Sequence, residues 1–266
     1  MPNNLAALCC AALLWTGYAS ALELQVAIPR TSQQMPSGNS SLKSARVTLL
    51  ADFNLSLARE ICRRLSAKCI FSHPEFSEII PGIESRRFQL GFGSFLRTPE
   101  REARVAFSDT LWRSSSRLLA QPEVAARFVL APGAEVKLET LHEARVVAIS
   151  GSRQFEHLQS IAMPQGLNIL GRPTIGDCLD ALFKEQADFA LLPGLYAYIL
   201  LDPTAEQPLA FVGPGMVEQG LGGTVHIALP RDNENLRKLV NGALSEMRRD
   251  GSYQRIWRQY FPFDYS

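Results

Sequence analysis

Residues 145–192 read RVVAISGSRQFEHLQSIAMPQGLNILGRPTIGDCLDALFKEQADFALL, and the order of their apolar runs decides the fold class. Arg145 to Ile149 is a compact apolar run that predicts a buried strand. Gly151-Ser152 then leads into a helix beginning near Gln154. Asn168 to Leu170 predicts a short strand, Ile175 to Lys184 a helix, and Phe189 to Leu192 another strand. Within that second helix Ile175, Cys178, Leu179 and Leu182 share one face, so Cys178 reads as a buried structural thiol. Strand, helix, strand, helix, strand at these spacings argues for parallel strands covered by helices.

The same order stands upstream. Leu24 to Ile28 alternates like a strand, and residues 53–65 place Phe53, Leu57, Ile61 and Leu65 four apart on one helix face, with Ala58 and Cys62 beside them. Cys69 to Phe71 is a short strand, Glu75 to Arg86 an amphipathic helix carrying Phe76, Ile79, Ile80 and Ile83, and Phe88 to Phe92 a strand. The halves share this order without convincing sequence repetition. Ser114 to Gln121 forms an extended connector between them, and Gly213-Pro214-Gly215 with Gly220-Leu221-Gly222-Gly223 a second. Beyond it lie a strand at His226 to Leu229 and a long helix at Asn233 to Arg249. Two α/β lobes joined by two crossings predict a hinge with a cleft between.

Composition narrows the function classes. The chain has 266 residues with 27 basic and 26 acidic side chains and no polybasic run, which removes the electrostatic basis for nucleic-acid or membrane-surface binding. Met1 to Ala21 carry no Lys, Arg, Asp or Glu, Leu5 to Trp15 are apolar, and Ala19-Ser20-Ala21 fits the small-x-small cleavage pattern. Residues 1–21 therefore read as a signal peptide cleaved after Ala21, with a periplasmic mature chain. The apolar run falls short of the roughly 20 residues of a membrane span. Met-Pro-Asn-Asn at the start lacks a basic side chain, which leaves a retained anchor as the alternative.

After cleavage three cysteines remain, and in an oxidising compartment Cys62 and Cys69 can pair; two separate buried thiols are the other reading. The chain shows no zinc-type Cys/His spacing and no phosphate-binding glycine loop, so neither metal nor cofactor is expected. His73, His142, His157 and His226 fall in no motif with a nucleophile or carboxylate, and no catalytic residue is expected. His157 reads as a solvated helix residue; Glu75, Glu78 and Glu100 read as solvent-facing.

Three stretches then converge: Asp52 to Ala58 followed by Cys62, Cys69 and Phe76-Ser77-Glu78-Ile79-Ile80-Pro81; Arg97-Thr98-Pro99-Glu100-Arg101 followed by Ala106-Phe107-Ser108-Asp109; and Arg249-Asp250-Gly251-Ser252-Tyr253 through Ile256-Trp257 to Tyr260-Phe261. In order and spacing they resemble the family 3 extracellular solute-binding proteins of amino-acid ABC transporters. The nearest look is to the lysine/arginine/ornithine- and histidine-binding branch, whose members share a cysteine pair at this spacing. The resemblance covers residues 23–264. It implies a type II periplasmic-binding fold, α/β, with two lobes whose mainly parallel sheets are flanked by helices. Lobe one would comprise about 23–113 plus 222–266, lobe two about 118–212, with hinge connectors at 114–117 and 213–221. A monomer would clamp a small molecule in the cleft, and an ABC permease or a sensor receptor would read the closed form.

The resemblance also assigns site residues. Arg101 would grip the ligand's carboxylate, a task that suits a planar guanidinium with two parallel donors. Ser94 aligns with a site serine and Gly93 takes the place of another. Phe76 matches an aromatic that packs against the ligand. Gly151-Ser152-Arg153 matches a turn whose amides meet the carboxylate at a helix start. Arg30 adds positive charge near the early lobe-one positions, Pro29 to Gln34, which carry no acid or aromatic.

The departures matter more than the matches. The aspartate that holds an α-ammonium in the family falls at Pro193, and an assisting serine at Leu96. A buried ammonium without an acid partner costs several kcal/mol, so the expected ligand is anionic or neutral rather than lysine, arginine or histidine. The alternatives are a sensing or protein-interaction member whose pocket has decayed and, less favoured, an enzyme of the dehydratase type that the same fold hosts.

Overall fold

The computed structural model describes residues 22–31, 40–131, 134–202, 204, 206 and 208–264, with the side chains of 40–45 left aside. The expected signal peptide, residues 1–21, and residues 32–36 of the uncertain early segment lie outside the described residues. Strand β1 (Glu23–Ala27) leads to helix α1 (Ser40–Arg64), β2 (Lys68–Ser72), α2 (Phe76–Glu84), β3 (Leu90–Leu96), the short α3 (Pro99–Glu102), β4 (Val105–Phe107) and β5 (Trp112–Ser114). A second set follows: β6 (Ser116–Ala120), the short α4 (Pro122–Ala125), β7 (Arg145–Ile149), α5 (Arg153–Gln165), β8 (Asn168–Arg172), α6 (Ile175–Phe183), β9 (Phe189–Pro193), α7 (Gly194–Leu200) and β10 (Ala210–Met216). The chain closes with β11 (Gly223–Pro230), α8 (Glu234–Arg249) and α9 (Ser252–Tyr260).

These strands form two sheets, β2-β1-β3-β11-β4 with β5 on β11, and β10-β6-β9-β7-β8. In the first, β11 alone runs against the other strands; in the second, β6 alone does. Each sheet is therefore mainly parallel in direction, and its one reversed strand adjoins a crossing between sheets. The chain passes from the first sheet to the second at Ser114–Ser116 and returns between Met216 and Gly223.

Helix α1 is longer than the periodicity of 53–65 predicts. Its upstream half is rich in Ser and β-branched residues, which are weak helix formers, but Val47, Leu50, Phe53, Leu57 and Ile61 continue one buried stripe at helical spacing. That extension reaches the other sheet's helices: Arg46 donates to the carbonyl of Leu201, at the end of α7, at 2.5 Å and pairs with Asp202 at 3.3 Å. Phe53 anchors the far side, with Trp112, Trp257, Tyr260 and Phe261 at 5.3–6.0 Å in edge-on contacts that add to plain burial. A Cys62–Cys69 disulfide ties the end of α1 to β2, so the reading of two separate thiols is set aside. Cys178 is a free, buried thiol whose pKa burial pushes up.

Candidate ligand cleft

Strands hand over to helices at three junctions, and the first two of them meet across the sheets to form the candidate cleft. At the first, β3 ends and Thr98 caps α3, its hydroxyl accepting from the amide of Arg101 at 3.3 Å. The cap turns Arg101 inward, and the residue is only 7% exposed. Its Nη1 donates to the carbonyl of Leu96 at 3.2 Å, and its Nη2 donates to the carbonyl of Gly151 at 3.3 Å, across the gap between the two sheets. The nearest carboxylate is Glu156 on α5, 4.0 Å away. Burial lowers the Arg101 pKa, with Arg153 and Arg104 adding to the effect and Glu156 and Glu100 opposing it. A guanidinium stays charged regardless, so Arg101 is a desolvated cation looking for an anion.

Beside it, Phe76 and Phe95 stack with centroids 4.9 Å apart, and the guanidinium of Arg101 lies 5.7 Å from the Phe95 ring. Gly93 is the floor under that stack, because a Cβ there would stand 3.0 Å from the Phe76 ring and 3.1 Å from Phe95. Ser94 holds a left-handed φ of 57°, uncommon outside glycine and asparagine, and its hydroxyl is buried with no hydrogen-bond partner. Such orphaned hydroxyls are rare without a reason.

At the second junction β7 turns into α5. Gly151 adopts a φ of 73°, and a Cβ there would lie 3.0 Å from the backbone of Ser77 on the opposite side, so the two lobes touch at this point. Ser152 caps α5 by accepting from the amide of Phe155 at 3.1 Å, while its own amide donates to Ile149. Arg153 donates to the carbonyl of Gln219 in the second crossing at 2.8 Å and reaches Glu156 at 3.4 Å. It therefore braces the second crossing from the start of α5. At the third junction β9 turns into α7, and the cap is Pro193, with no side-chain hydrogen bond.

The structure thus gathers Phe76, Gly93, Ser94, Arg101 and the 151–153 turn. Arg30 pairs with Glu75, the residue before Phe76, at 2.6 Å, with both side chains substantially exposed. Two features escaped the sequence reading. Glu156 sits between Arg101 and Arg153, one helical turn beyond Arg153, a spacing visible in the sequence but with nothing there to link it to Arg101. His157 is buried rather than solvated, 6% exposed, and burial together with Arg153 lowers its pKa; it lies on the side of α5 that faces the protein, as Leu158 does. Among the described residues no group of three or more His, Cys, Asp or Glu could hold a metal, and no helix is long and apolar enough to cross a membrane.

Known proteins agree with this layout. The chain is 26% identical over 220 residues to the histidine-binding periplasmic protein of Escherichia coli K12, covering 81% of this chain and 80% of that one. It is also 26% identical over 216 residues to the lysine/arginine/ornithine-binding periplasmic protein of the same organism, covering 80% and 79%. An ancestral arginine-binding protein bound to arginine superposes with a TM-score of 0.73 at 22% identity, over 90% of this chain and 98% of that one. The ligand-binding core of GluR0 from Nostoc punctiforme, in complex with L-glutamate, gives 0.69 at 20% identity, over 90% and 99%. The model of one family, the bacterial extracellular solute-binding proteins, family 3, matches residues 50–263, and this chain belongs to that family.

Proposed function

We propose that the protein is exported by cleavage after Ala21, acts as a monomer in the periplasm, and captures a small carboxylate-bearing ligand, anionic or neutral overall, for an ABC permease or a sensor receptor. Residues 23–113 and 222–266 would move as one lobe and 118–212 as the other, about connectors 114–117 and 213–221. The observation that carries this reading is the buried Arg101 guanidinium, which no carboxylate among the described residues approaches closer than the 4.0 Å of Glu156. Around it stand the charges of Arg153 and Arg104 against Glu156 and Glu100, and Arg104 is itself paired with Glu84. These charges balance, so what favours an anion is the burial of Arg101 itself without a carboxylate in direct contact. The curated relatives are named for basic amino acids, whereas solved proteins of this fold hold arginine in one case and glutamate in another. Fold alone therefore leaves ligand charge open, and Pro193 at the acid position weighs against a cation. A thermal-shift screen tests the reading: small dicarboxylates raise Tm, and lysine and arginine do not. Micromolar binding of lysine or arginine by calorimetry would overturn it.

One observation favours the second reading, a sensing or interaction member that no longer binds a solute. Arg101 spends donors within the protein, on the carbonyls of Leu96 at 3.2 Å and Gly151 at 3.3 Å. On that reading no small carboxylate shifts Tm, and the protein recovers a protein partner in a pull-down.

A further inference from the structure

Away from the cleft, a cavity of about 350 Å³ opens where the first crossing meets the C-terminal segment. Its walls come from both sheets: Trp112 and Arg113 of β5 and Trp257 of α9 on one side, Arg117 of β6, Tyr198 of α7 and Phe211 of β10 on the other. The volume sits at the small end of the range for ligand pockets. Its chemistry is uneven in a specific way. The aromatic rings supply flat apolar walls, with Tyr198 packed edge-on to Phe263 at 4.7 Å. The Arg117 guanidinium carbon lies 4.1 Å from the centre of the Phe211 ring, and among the described residues its one hydrogen-bond acceptor is the carbonyl of Gly213 at 3.2 Å. Arg113 is exposed at the rim and has no carboxylate within ion-pair distance among the described residues. The one acid at the edge, Asp264, is already met by Arg258 at 3.4 Å and by Gln254 at 3.1 Å.

We propose that this cavity is a second ligand site, distinct from the cleft, for a small aromatic carboxylate. The ring would lie among Tyr198, Phe211 and Trp257, and the carboxylate would take the free donors of Arg117 and Arg113. Guanidinium recognises carboxylate bidentately while a ring face shields it. Both sheets line the cavity beside a crossing, so a ligand that favoured one arrangement of the lobes would in turn be bound more tightly by it.

The tryptophans report on it directly. The sequence has three, and two of them, Trp112 and Trp257, line the cavity. Benzoate is titrated into the ¹⁵N-labelled protein carrying Arg101→Ala, which silences the carboxylate anchor of the cleft, and the indole N–H cross-peak of Trp112, identified with Trp112→Phe, is followed. A saturable shift is expected. Arg117→Met should weaken it by about tenfold or more, the loss of one charge-assisted pair. Arg113→Gln, which changes an exposed side chain without an ion pair among the described residues, should weaken it less, and benzyl alcohol should shift nothing. An unmoved cross-peak at millimolar benzoate overturns the proposal. So does an affinity unchanged by both arginine variants, or a shift that needs an intact Arg101.

Discussion

The junctions after β3 and after β9 are the same device with different contents. Each ends a parallel strand and starts a helix with a proline nearby. After β3 the cap is Thr98, with Pro99 next, and the turn delivers a buried guanidinium. After β9 proline itself is the cap, with no side-chain acceptor for the first amides of α7 and no charge. Proline's fixed φ suits the start of a helix, and Pro193 at φ −55° leads into α7 without a polar cap, so the helix forms while an acidic side chain is missing. Backbone architecture and ligand chemistry are thus separately written at these two turns.

The largest effect is expected from the charged junction. Arg101→Ala should weaken any carboxylate ligand by at least about a hundredfold, roughly 3 kcal/mol, the worth of a buried charge-assisted pair, as read by calorimetry. It should leave the ligand-free fold intact in circular dichroism.

Gly151→Ala comes next. It places a side chain at φ 73° and 3.0 Å from the Ser77 backbone, where the left-handed conformation alone costs about 1–2 kcal/mol. The lobes should fail to close fully, and ligand affinity should fall by roughly tenfold or more with only a small loss of Tm.

Two changes that touch neither junction calibrate the comparison. Replacing Cys62 and Cys69 by serine should cost about 2–3 kcal/mol of stability by chemical denaturation without altering ligand preference. The other is acid. Glu60 is held down to about 2 by its hydrogen bonds with Arg63 and Arg64, and Arg64 continues to Asp250 at 2.6 Å. A carboxylate with a depressed native pKa stabilises above its unfolded value of about 4.3 and loses that contribution as pH falls through the native one. Stability should therefore decline between about pH 4.5 and pH 2, and Glu60→Gln should flatten that slope by a modest amount.

Much of the fold was legible because its signals are local. The apolar stripe of Ile175, Cys178, Leu179 and Leu182 and the compact strand at Arg145–Ile149 specify their elements with no help from neighbours. The first half of α1 was not legible, since its helicity rests on Val47 and Leu50 packing into a core that only the assembled lobes provide. At the candidate site, motif and resemblance pointed to Arg101 and the 151–153 turn, and Arg101 meets the carbonyl of Gly151 in the structure. Glu156 could not, because its meeting with Arg101 depends on two elements approaching across the cleft. Arg153 looked like a ligand contact, and in the structure much of its reach is spent on the carbonyl of Gln219. Long side chains near a hinge are claimed by whichever backbone comes closest, which no linear spacing reveals.

The central claim is that a carboxylate anchor persists at one junction while the ammonium partner is gone at the other. Pro193→Asp restores an acid at the second junction and, as a favoured helix cap, should not harm α7. Calorimetry with a panel of amino acids and dicarboxylates, run on the native protein and on Pro193→Asp, tests the claim most directly. The account predicts that the native protein prefers a dicarboxylate or other non-cationic acid and that Pro193→Asp shifts preference toward ligands bearing an α-ammonium. Tight binding of arginine or lysine by the native protein, unchanged by Pro193→Asp, would contradict it.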